Sequence, residues 1–111
     1  MVCRGQNHLE ELMEIRTYIG IAEAGVENDQ DYPEGERHAF NLFMSQESGA
    51  DPNWSLAEET VESNGWLNIE IRKTGILSAN SVKESEAPFP AMYDHALKNG
   101  SALLIYSDPE R

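Results

Sequence analysis

Met13-Glu14-Ile15-Arg16-Thr17-Tyr18-Ile19-Gly20-Ile21 alternates without a break. Met13, Ile15, Thr17, Ile19 and Ile21 fall on one side of the run. Glu14, Arg16, Tyr18 and Gly20 fall on the other. Side chains along a strand point to opposite faces in turn, so this period predicts a half-buried strand. His38, Phe40, Leu42 and Met44 repeat the period, opposed by Ala39, Asn41, Phe43 and Ser45. Two neighbouring strands pair most simply antiparallel, here through a long hairpin loop. That loop, residues 23–37, contains Gly25, Pro33 and Gly35, and its span Glu23 to Glu36 holds six acids and no base. Such a segment stays solvated.

Ahead of the first strand, residues 1–10 read as a tail or leading turn. Leu9, Leu12 and Met13 also have helical spacing, which leaves a short leading helix open. Behind the second strand, Ser55-Leu56-Ala57-Glu58 has the form of a capping box and predicts a helix to about Asn64. Leu56, Ala57, Thr60 and Val61 would face inward. Asn64-Gly65 closes the helix, because glycine takes the left-handed conformation of a helix C-cap at no steric cost. Trp66 to Arg72 alternates again, with Leu67, Ile69 and Ile71 on the expected buried face. Residues 74–87 read as an irregular connection.

Pro88-Phe89-Pro90 opens a second helix, since proline costs little in a first turn. Phe89, Met92, Tyr93, Ala96 and Leu97 make its apolar stripe, and Asn99-Gly100 ends it. Ser101-Ala102-Leu103-Leu104-Ile105-Tyr106 follows. It is apolar on both faces, which suits a central strand better than an edge.

The order is β-β-α-β-α-β. It predicts a single α+β domain over residues 1–111, a two-layer sandwich. Its sheet would be four-stranded, mixed or antiparallel, with both helices on one face. Tyr18, Phe43 and Trp66 would then stand among polar residues on the uncovered face, as a candidate contact surface.

The charge distribution limits the functions available. The chain has 20 acids against 8 bases, a formal charge of −12, and no base lies between Arg37 and Arg72. Residues 1–66 hold 14 acids and 3 bases; residues 67–111 hold 6 and 5. A field of one sign repels nucleic acid and anionic membranes and favours cationic partners. Arg72-Lys73 is the only adjacent basic pair, too little for a phosphate-binding stripe. No apolar run approaches the roughly 20 residues needed to cross a bilayer. The first eight residues lack the apolar core of a signal peptide. One cysteine, Cys3, permits no internal disulfide and fits a reducing compartment. A cytoplasmic protein is expected.

Glu27, Asp29 and Asp31 have the spacing of the first ligands of a calcium loop. However, the turn glycine would fall at Tyr32 and the closing glutamate at His38. His8, His38 and His95 have no zinc spacing. There is no nucleophile elbow and no phosphate loop. The expectation is no catalytic residue, no metal and no cofactor.

Three readings remain. The first is a non-catalytic protein-interaction module, with Tyr18, Phe43 and Trp66 as contact residues and a homodimer left open. The second is an acidic inhibitor or immunity-type protein that masks a basic partner. Its surface would be Glu27, Asp29, Asp31, Glu34 and Glu36 with Glu58, Glu59 and Glu62. The third is a small ligand binder or enzyme with a pocket near His95, Tyr93 and Trp66.

Overall fold

The computed structural model describes residues 13–28 and 30–109. The elements run β1 (Met13–Ala24), β2 (Arg37–Glu47), α1 (Trp54–Ser63), β3 (Trp66–Leu77), α2 (Ala79–Lys83), α3 (Phe89–Asn99) and β4 (Ser101–Pro109). The readings of residues 1–10, including Cys3 and His8, lie outside the described residues, as does Asp29. Among the described residues no helix is long and apolar enough to cross a membrane.

The hairpin forms as its alternation predicts. β1 and β2 pair antiparallel in unbroken register from Met13–Glu47 to Glu23–Arg37. β3 adds antiparallel to β1, and β4 adds antiparallel to β2. The strand order is β3-β1-β2-β4. The α+β class and the four-stranded antiparallel sheet are therefore as expected.

The helices are arranged differently. Ala57 and Val61 of α1 pack on Tyr18, Ala22, Phe40, Leu42 and Met44. Phe89, Met92, Tyr93 and Ala96 of α3 pack on Ile15, Phe43, Ala102 and Leu104. Leu42 and Phe43 are sequence neighbours, so their side chains leave opposite faces of the sheet. The two long helices, expected on one face, thus cover opposite faces, and the domain has three layers rather than two.

This arrangement corrects the expected surface. Tyr18, Phe43 and Trp66 are not exposed but fully buried in the core. Tyr18 and Trp66 lie under α1; Phe43 lies under α3, 6.2 Å from the Phe89 ring. Each such burial contributes about 1.5–3 kcal/mol, so these rings hold the fold together.

Smaller corrections have local causes. Asn53, not Ser55, caps α1, its Oδ1 accepting from the Leu56 N–H at 3.1 Å. Tyr18 Oη accepts from the Asn53 N–H at 2.8 Å, which ties that cap to the sheet. Leu67, expected inside, is half exposed, because Asn68 has φ 47° and the β1–β3 register shifts twice. β3 extends through Leu77, and the following connection contains the one-turn helix α2. β4, read as a central strand, is an edge strand.

Candidate functional site

The cleft along β4 starts at a helix stop. Gly100 has φ 97° and its N–H donates to the Ala96 carbonyl at 2.8 Å, which closes α3 and turns the chain into β4. The Gly100 carbonyl accepts from the Ser45 N–H at 2.9 Å. In an antiparallel ladder, alternate residues bond to the neighbour and the rest point away. With Gly100 facing β2, Ala102 and Leu104 face β2 as well. The N–H and C=O groups of Ser101, Leu103 and Ile105 therefore point outward. Among the described residues no strand pairs with that side.

Ser101, Ala102 and Leu103 at the start of this strand line a cleft of about 630 Å³. One wall is Thr60 and Asn64 of α1; the other is Ala91, Met92, His95 and Asn99 of α3. These helices lie on opposite faces, so a cleft that touches both must pass around the outer side of β4.

Its lining is part apolar and part polar. Met92, Ala91, Ala102 and Leu103 supply apolar surface. Thr60 Oγ1 donates to the Leu56 carbonyl at 2.7 Å, and Asn64 Nδ2 donates to the Thr60 carbonyl at 2.8 Å. The Thr60 and Asn64 side-chain oxygens therefore remain as acceptors toward the cleft. His95 Nδ1 lies 3.3 Å from Asn99 Nδ2. The lining contains no carboxylate and no serine paired with a base, so it assembles no proton-transfer couple. Among the described residues, no group of three or more His, Cys, Asp or Glu side chains could hold a metal ion.

The acidic segments meet at one end of the sheet. The Gly25 N–H donates to the Gly65 carbonyl at 2.9 Å, and the Gly65 N–H donates to the Glu62 carbonyl at 2.9 Å. Gly65 has φ 92°, and a Cβ there would strike the Glu27 carbonyl oxygen. The hairpin loop thus rests directly on the end of α1.

Asn28, which the sequence reading passed over, organises that loop. It is buried; its Nδ2 donates to the carbonyls of Gly25 and Tyr32 at 2.9 and 2.8 Å. Its Oδ1 accepts from the N–H groups of Gln30 and Tyr32 at 3.2 and 2.9 Å. An asparagine bonding to backbone a few residues on is the signal for such a turn. His38 is the second residue missed. It is fully buried, with Nδ1 2.8 Å from the Tyr106 carbonyl and Nε2 2.8 Å from Glu36 Oε1. Tyr32 stacks on its ring at 4.1 Å.

Of the acids singled out, Glu27, Asp31, Glu34, Glu58, Glu59 and Glu62 are exposed and form no ion pair within the described chain. Glu36 differs, being half-buried against His38. Arg37 and Arg72 both turn to Glu70, at 3.4 and 3.5 Å. The three residues suggested for a pocket are not brought together. Trp66 lies on the α1 side of the sheet and Tyr93 on the α3 side, and only His95 lines the cleft. Comparison with family models, with characterised proteins and with solved structures finds no match for this chain.

Proposed function

We propose that this chain is a non-catalytic protein-interaction module, and that its contact surface is the cleft along β4. One observation carries the reading. An edge strand has the composition of an interior one, apolar on both faces and without charge from Ser101 to Tyr106. A strand with the composition for two neighbours has one among the described residues. A cytoplasmic setting accords with the single cysteine.

Site-specific photo-crosslinking in the native cell tests this. A photoreactive residue replacing Leu103 should yield a discrete adduct. The same residue replacing Leu67, half exposed on the opposite edge, should not. Equal labelling at both positions, or none at either, would remove the proposal.

A second reading has its own support. The hairpin loop and the end of α1 are adjacent, so Glu27, Asp31, Glu34 and Glu62 share one end of the domain. Glu62 stands in the last turn of α1, where the helix dipole disfavours a negative charge by about 0.3–1 kcal/mol. Acids kept at such a cost suit a surface for a basic partner. Replacing Glu58, Glu59 and Glu62 together by glutamine should then slow association with that partner. An unchanged association rate would leave the acidity with no role beyond solubility.

A further inference from the structure

We infer that the β4 edge takes a single extended segment of a partner protein as an added strand, and that this segment is basic. The inference rests on the interaction reading above and specifies what enters the cleft.

The two edges of the sheet are treated differently. β3 exposes Glu70, Arg72 and Lys73, carries Asn68 at φ 47°, and slips register twice against β1. Charges and bulges of this kind prevent strand addition. On β4 such devices are confined to the far end. The register against β2 slips between His38 and Phe40, and Asp108-Pro109 close the strand. From Ser101 to Ile105 no charge, proline or register slip among the described residues obstructs pairing. Five residues of strand span about 17 Å, enough for a short extended peptide.

The walls of the cleft decide between a peptide and a second copy of the chain. The β4 edge is flanked by α1 and α3, whose side chains line the cleft. A second copy would present an edge flanked by the same helices. Two edges so flanked bring helix against helix as they approach the 4.7–4.9 Å or so that strand pairing requires. A segment free of its own flanking helices does not.

Charge and lining specify the segment. The cleft lining holds no Asp, Glu, Lys or Arg, and the chain carries a formal −12. That field concentrates cationic segments and repels acidic ones. Alternate side chains of an added strand point to opposite faces. One set meets Ala91, Met92 and Ala102 and should be apolar. The other meets Thr60 and Asn64 and should be polar. Basic residues belong at the ends, in solvent.

The test uses two pools of seven-residue peptides with apolar residues at alternate positions. Serine and threonine fill the inner remaining positions, and one pool carries lysine and arginine at its ends, the other aspartate and glutamate. Binding to the full chain is followed by calorimetry and by the backbone amide signals of Ser101 and Leu103. The basic pool should bind and shift both amides. Methylating alternate peptide nitrogens should weaken binding by about tenfold or more, because the added ladder loses its donors. Leu103→Pro removes an outward donor without breaking a bond to β2 and should weaken binding similarly. If that variant does not fold, the methylated peptides still decide the matter. Equal binding of the acidic pool, binding indifferent to methylation, or no binding by either pool overturns the inference. So does protection of these amides that rises with chain concentration alone, which would mark a second copy. If Leu103 crosslinks in the cell while both pools fail, the interaction reading stands and the occupant is wrong. If Leu103 does not crosslink, the interaction reading itself fails.

Discussion

The Ser45 N–H donates to the Gly100 carbonyl at 2.9 Å, and this one bond sets the phase of the β2–β4 ladder. It turns Ala102 and Leu104 toward β2 and leaves Ser101 and Leu103 facing outward. The same phase makes the two sets of positions respond differently to proline. Leu104→Pro removes a ladder donor and should cost about 3 kcal/mol or more, as proline does where it breaks a backbone hydrogen bond. Leu103→Pro keeps the ladder and should cost distinctly less. Urea denaturation of the two variants measures the difference.

His38 joins three parts of the domain. It bonds to the Tyr106 carbonyl of β4, contacts Glu36, and stacks on Tyr32 of the hairpin loop. His38→Phe preserves the ring stacking but leaves that carbonyl and the half-buried carboxylate without their partner. An unsatisfied buried group costs about 1–3 kcal/mol, so the midpoint of thermal unfolding should fall by several degrees. Loss should appear first in amide protection of the loop and of the far end of β4.

Gly65 fixes the acidic loop against α1. Gly65→Ala adds a Cβ at φ 92° and sets it against the Glu27 carbonyl and the Asn28 Cα. Left-handed strain alone costs about 1–3 kcal/mol, and the collision adds to it. Gly49→Ala is the control, because φ there is 83° but nothing lies within 4 Å. It should show the strain without the collision. Equal destabilisation of the two variants would mean that the loop does not rest on α1.

Asn41 lies buried on the α3 face of the sheet, and its Oδ1 has no hydrogen-bond partner among the described residues. An orphaned buried acceptor costs about 1–3 kcal/mol. Asn41→Leu replaces it with an apolar group of similar size and should raise stability in chemical denaturation. A loss of stability would contradict the absence of a partner.

The alternating runs Met13–Ile21 and His38–Ser45 made the hairpin legible, and the Asn-Gly pairs marked both long helix ends. The helix arrangement was less so. Tyr18, Asn41 and Phe43 look like outward positions only if one face of the sheet is solvated. With a helix on each face, the central strands bury both sets, and period alone does not report how many faces are covered. The acidic end was legible as composition but not as a place, since the contact between Gly25 and Gly65 joins segments 40 residues apart in the sequence. The cleft was hidden for a related reason. Ser101–Tyr106 reads as a central strand, and nothing in its residues says that it lies at an edge, paired on one side among the described residues.

Amide hydrogen exchange of the free chain, resolved along β4, tests the account most directly. The exposed edge predicts alternation: slow exchange at Ala102 and Leu104, and exchange near the unprotected rate at Ser101 and Leu103. Uniform slow exchange from Ser101 to Ile105, independent of chain concentration, would mean that the edge is already covered and would contradict the account.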